Sequence, residues 1–100
     1  MQHGASDVHR LPLLERPWRV VVAESGSDMA SLTPVLIVAL DCPTNYWPSQ
    51  ALGWLEDGFP MNVAIAESLR GLHERRGITQ RNRHRALHLV KAYLRSGARS

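Results

Sequence analysis

The sequence predicts an α+β fold: two N-terminal β-strands followed by three α-helices, the last of them amphipathic and basic. Three observations carry this expectation. Two short runs rich in apolar and β-branched residues, 18–24 and 35–40, lie between turn formers in the first half of the chain. A breaker cluster of Pro43, Asn45 and Pro48 separates them from a second half that carries helix-capping signals. Cations concentrate in that second half: nine of the twelve Lys and Arg residues fall within positions 70–100, against a single carboxylate, Glu74.

At 100 residues the chain has the length of one small domain with one modest core. Residues 1–16 read as a loose polar tail, 17–48 as a β-rich part and 49–100 as a helical basic part. The first strand, 18–24, is Trp-Arg-Val-Val-Val-Ala-Glu between Pro17 and Ser25-Gly26-Ser27-Asp28. The second, 35–40, is a continuous apolar run between Pro34 and Asp41-Cys42-Pro43, although periodicity alone does not separate it from a helical segment. The two would pair as an antiparallel hairpin. Ser49 is placed to cap a short helix over 50–56, ending at Gly58. Asn62 caps a second over 63–76, with Gly77 where a helix C-terminus favours glycine. Thr79 caps a third over 80–95, closed by Gly97. Leu69, Leu72, Leu87, Val90 and Leu94 are expected to pack under residues 35–40, with Ile65 and Trp54 at the edge.

Composition excludes several functions. Cys42 is the only cysteine, so no internal disulfide forms and the chain fits a reducing compartment. The N-terminal residues show no secretory pattern, and the longest apolar run, 34–40, falls far short of the ~20 residues a bilayer requires. The expectation is a cytoplasmic protein with no membrane partner. There is no glycine-rich phosphate loop, zinc pattern or nucleophile elbow, and Asp41, Glu56, Asp57 and Glu67 have no spacing for acid–base work. No enzyme activity and no cofactor are expected. Cys42, beside an apolar run, reads as a small buried residue rather than a nucleophile.

The last helix carries the sharpest signal. At ~100° per residue, Arg81, His84, Arg85, His88, Lys91 and Arg95 fall within an arc of about 120°. Ala86, Leu87, Leu89, Val90, Tyr93 and Leu94 fill the opposite arc, and of the strongly charged residues only Arg83 sits on that apolar side, near the N-terminus of the helix. Most amphipathic helices merely present a solvated face. Such faces mix both signs, whereas here no carboxylate follows Glu74. Uncompensated like charge points to a polyanion, nucleic acid first among them. The candidate binding residues are Arg75, Arg76, Arg81, His84, Arg85, His88, Lys91, Arg95 and Arg99. The i,i+4 pair His84 and His88 has a metal-chelating spacing, but no third ligand is close in sequence and the arginines repel a dication. No metal is expected; the pair contacts phosphate or bases and raises affinity when protonated. The basic arc carries no Asn or Gln to read base edges, which favours backbone tracking, and RNA over duplex DNA.

Residues 51–99 resemble the ProQ/FinO family of RNA chaperones. There a short apolar helix ends in an aromatic-Pro pair, as in Ala51-Leu52-Gly53-Trp54-Leu55-Glu56-Asp57-Gly58-Phe59-Pro60. Pro60-Met61-Asn62-Val63-Ala64-Ile65 is similar to the family's Pro-Leu-Lys-Ile-Gly-Ile helix entry. Ile78-Thr79, Ala86-Leu87, Tyr93-Leu94 and Gly97-Ala98-Arg99 follow in the family's order. The resemblance implies an RNA-chaperone-like regulator that binds structured RNA. Residues 65–80 are also similar to the opening of Cro-like helix-turn-helix repressors, where a Gly-x-Thr-Gln turn leads into a short helix, a second turn and a recognition helix. Residues 80–95 lack that second turn, which argues against a repressor. A third reading is a small interaction protein, of the phage or plasmid inhibitor type, that binds an acidic protein surface.

Overall fold

The computed structural model describes residues 9–26 and 29–98. Among these there is no β-strand: a 3-10 turn, Leu11–Glu15, is followed by five α-helices, α1 (Trp18–Ser25), α2 (Met29–Asp41), α3 (Tyr46–Glu56), α4 (Val63–Glu74) and α5 (Gln80–Ala98). The expected α+β fold and its hairpin are therefore corrected to an all-helical fold.

Burial shows why both supposed strands are helices. In the first run Val21 and the partly buried Trp18 and Val22 pack on the core, while Val20 and Ala23 are exposed. That is the i, i+3, i+4 spacing of a helix; a strand would bury 18, 20 and 22 together. Gly26 ends α1 in the left-handed region (φ 70°), its N–H donating to the Val22 carbonyl. In α2, Leu32, Val35, Leu36, Ala39 and Leu40 are all fully buried. This stripe begins before Pro34, which sits inside the helix on an exposed position rather than bounding a strand. The proline removes one backbone donor, and the burial of five apolar side chains outweighs that loss.

The supposed N-terminal tail is also partly ordered. Leu11 and Leu14 of the 3-10 turn are buried, and Pro12 occupies the start of the turn. Residues 1–8 of the expected tail lie outside the described residues. Helix α3 begins at Tyr46, earlier than Ser49, because Pro48 falls in the first turn, where its missing donor is not needed. The Asn62 side chain accepts from the Ile65 N–H at 2.9 Å, capping α4. Thr79 does the same for Asn82 N–H at 3.2 Å, at the head of α5.

Helices α2 and α5 each pack on both α3 and α4, and the 3-10 turn packs on α2 and α3. Trp54 lies at the join. Its indole N–H donates to the Arg16 carbonyl at 2.8 Å, and its ring lies 5.6 Å from Phe59, which meets Trp18 edge-on at 5.4 Å. Leu69, Leu72 and Val90 are core residues, and Ile65 and Trp54 are buried rather than marginal. Leu87 is only half-buried and Leu94 is 60% exposed, so the expected core face of α5 is rotated. The helix packs instead along Asn82, Ala86 and Val90, with Leu89 and Tyr93 beside them. No helix among the described residues is long and apolar enough to cross a membrane.

Candidate nucleic-acid interface

The structure divides the predicted basic residues into two groups: those consumed by the fold and those left to solvent. Arg75 belongs to the first. Its guanidinium donates to the carbonyls of Cys42 (2.6 Å) and Leu40 (2.9 Å), satisfying acceptors at the C-terminus of α2, where a cation is also favoured by the helix dipole. Arg83 then donates to the Arg75 carbonyl at 2.9 Å, with its Nε buried and unpaired.

Arg85 is the second cation engaged within the fold. It grips Glu56 with two bonds, Nε at 2.9 Å and Nη2 at 2.8 Å, and also donates to the Ser49 hydroxyl (3.2 Å) and to Asn82 Oδ1 (3.1 Å). Its side chain is only 18% exposed. Arg85 ties α5 to α3, as its place at the edge of the predicted arc, next to the packed face, allows. Neither Arg75 nor Arg85 is available to phosphate without breaking these bonds.

The second group is Arg81, His84, His88, Lys91 and Arg95. All five are exposed, and none makes a hydrogen bond or ion pair with the described residues. Without Arg85 they occupy an arc of only about 80° and a length of ~21 Å along α5. They form a single row rather than a broad patch. Lys91, His84 and His88 surround a shallow dip floored in part by Leu87. No third His, Cys, Asp or Glu joins the two histidines among the described residues. Arg76 is exposed in the turn before α5; Arg99 lies outside the described residues.

Both flanks of the row carry acids. On the α3 side stands the Glu56–Arg85 pair. On the α4 side a depression is lined by Arg70, His73, Glu74, Leu87 and Val90, with Glu67 adjoining Arg70 in a second one. Sequence reasoning passed over Arg70 and His73. The signal was their position on α4, facing Leu87, but Glu67 and Glu74 make that face mixed in charge and mask it.

The head of the row is fixed by Asn45. Its side-chain oxygen accepts the Thr79 N–H at 2.9 Å and its amide donates to the Gly77 carbonyl at 2.9 Å. Asn82, 4% exposed, reaches back to the Asn45 carbonyl at 3.5 Å. The next residue, Tyr46, donates its phenol proton to Glu15. That bond, some desolvation and the Glu15 charge raise the Tyr46 pKa above its ordinary value. Cys42 is half-buried, and its thiol is pushed up by burial and by Asp41, with Arg75 opposing. A thiol held in its protonated form is a poor nucleophile.

Comparison with protein-family models, with curated proteins and with solved structures finds no match for this chain.

Proposed function

We propose that the protein binds nucleic acid through the exposed row Arg81, His84, His88, Lys91 and Arg95, with Arg76 at its head, and that its preferred target is structured RNA. The observation that carries this reading is that those five side chains have no hydrogen-bond or ion-pair partner among the described residues, beside two arginines of the same helix region that are engaged. A fold that pairs Arg75 and Arg85 and leaves Arg81, Lys91 and Arg95 exposed on one face of α5 keeps a cost that a phosphate backbone relieves. The row carries no Asn or Gln, which suits backbone contact better than base reading. The resemblance of residues 51–99 to the ProQ/FinO family points the same way. Helix α5 runs uninterrupted over 19 residues, which disfavours the repressor reading. A regulatory, non-catalytic role in the cytoplasm fits the single, poorly reactive cysteine.

Mobility shifts with a structured RNA, a duplex DNA and an acidic protein competitor, each at two salt concentrations, test this. With Arg81, Lys91, Arg95 and Arg76 on phosphates, log Kd should change with log salt by a slope of about 3 to 4. An affinity that is flat with salt would remove the reading. Displacement of RNA by the acidic competitor at equal concentration would favour a protein partner.

A further inference from the structure

Helices α4 and α5 are joined by residues 75–79 and pack along each other, so they run antiparallel. Their outer face is a shallow trough built from three depressions. Glu67, Arg70, Gly71 and Glu74 line the first; Arg70 and Glu74 line the second with Leu87 and Val90; Leu87 lines the third with His84, His88 and Lys91. Because neighbouring depressions share residues, the trough is continuous across both helices. Glu67, Arg70, Glu74, His84, His88 and Lys91 are all exposed and have no hydrogen-bond or ion-pair partner among the described residues. Two turns beyond Leu87, on the same stripe of α5, stands the exposed Leu94; Val63 is exposed on the stripe of Glu67, Arg70 and Glu74. These are two of the four large apolar side chains left exposed among the described residues. Gly71 adds a notch. It lies inside α4, and a Cβ placed on it would meet nothing within 4 Å. Nothing inside the fold requires a glycine there, and a glycine within a helix lowers its stability.

The two rims of the trough differ in sign, and this selects the occupant. A phosphate chain or an acidic protein laid across it meets Glu67 and Glu74. A surface that fits offers a base opposite α4, an acid opposite α5 and apolar side chains between them. A second copy, turned about a two-fold axis parallel to the helices, does so: α4 of each copy lies against α5 of the other. We infer that this face is a self-association surface, through which two copies join their α4–α5 hairpins as a four-helix bundle. Glu74 lies level with Leu87, since both line one depression, so Glu67, seven residues earlier, lies level with Leu94. In the pair, Glu67 of each copy faces Lys91 of the other, and Glu74 faces His84 and His88. Leu87 and Leu94 meet their own counterparts near the axis. Arg70 stands between Glu67 and Glu74 at i+3 and i+4 spacing and is balanced by them. Helices of 12 and 19 residues give a face at the low end of stable interface sizes, so the dimer is reversible and depends on concentration. Lys91 and the two histidines also belong to the row, so a second copy and nucleic acid compete for them. Dimerisation itself does not rest on the nucleic-acid reading.

Sedimentation equilibrium of the full chain, from micromolar to millimolar concentration, tests this. The mass of wild type should climb from one copy to two and no further. Glu67→Lys and Lys91→Glu each set like charges together at both symmetric contacts, and each should raise the dimer Kd by at least ~10-fold. Mixed in equal amounts, the two variants should pair again near wild-type affinity, because each supplies the charge that the other lacks. Leu94→Gln should also weaken the dimer. Gly71→Leu fills the notch with a better helix former, so it should dimerise less while melting at or above the wild-type Tm in dilute solution. Structured RNA should lower the dimer fraction of wild type. A chain that stays single up to millimolar concentration overturns the inference. So does a dimer indifferent to both charge variants, a mixture of those variants that stays apart, or a dimer that remains intact with RNA bound. If wild type dimerises in the expected pattern but shifts no RNA, the nucleic-acid reading falls and the dimer stands; if RNA binds and no dimer forms, the reverse holds.

Discussion

Replacing Arg85 with Ala separates the structural cations from those proposed to bind nucleic acid, because the two roles give opposite signatures. The substitution removes a two-point ion pair to Glu56, bonds to the hydroxyl and the carbonyl of Ser49, and one bond to Asn82. Glu56 is 42% exposed, so the ion pair is screened and contributes less than a buried pair would. The bond to the buried Asn82 oxygen adds the cost of leaving an acceptor unmet. Together these amount to roughly 2–3 kcal/mol, a large share of the ~5–15 kcal/mol that stabilises a typical domain. For a chain of this size that loss lowers Tm by about 8–20 °C. Affinity per folded molecule and its salt slope should stay close to wild type. Arg81→Ala should do the reverse: stability within ~0.5 kcal/mol, and a salt slope smaller by about 1. Thermal melting by circular dichroism and a salt titration of RNA binding measure both. An Arg85→Ala protein that melts with wild type yet shows a reduced salt slope would refute the division of the basic residues drawn here.

Leu72→Ala, at a fully buried site, should cost ~2–5 kcal/mol, whereas Leu94→Ala at an exposed one should shift chemical denaturation by less than ~0.5 kcal/mol. Pro34→Ala restores a backbone donor inside α2 at an exposed position and should raise stability by about 1–3 kcal/mol; a lower Tm would show that the proline is required there. Gly77 has φ 87°, so Gly77→Ala should destabilise by about 1–2 kcal/mol in the same assay. Asn45→Ala unties the α3 entry from the α5 turn and should cost ~1–3 kcal/mol, with faster hydrogen exchange at Thr79 N–H than elsewhere in the bundle.

The helical half was readable because its local signals agree with its packing. Asn62 and Thr79 cap the helices that their positions announce, and both helices begin where expected. The N-terminal half was misread at particular residues. Three consecutive valines at 20–22 raise strand propensity, but only Val21 is buried, and burial follows the helical period. Pro34 and Pro48 looked like boundaries; each lies within a helix, one on an exposed site and one in a first turn. A proline's position relative to a helix start decides whether it breaks the helix, and the start itself depends on tertiary burial.

By itself, the sequence determined the concentration of positive charge in one segment, the amphipathic division of α5 and the caps that start α4 and α5. All of these are local: charge counts, a 3.6-residue period and side-chain to backbone bonds over three residues. Tertiary structure decided everything that depends on a distant partner. It turned α5 so that Asn82, Ala86 and Val90 face inward and Leu94 outward. It brought Glu56 to Arg85 and the end of α2 to Arg75, across 29 and 33 to 35 positions of chain. It tied the entry of α3 to the turn before α5 through Asn45. A like-charged residue list cannot reveal which members are already paired, because pairing depends on contacts between segments far apart in the chain and is decided by packing rather than by spacing.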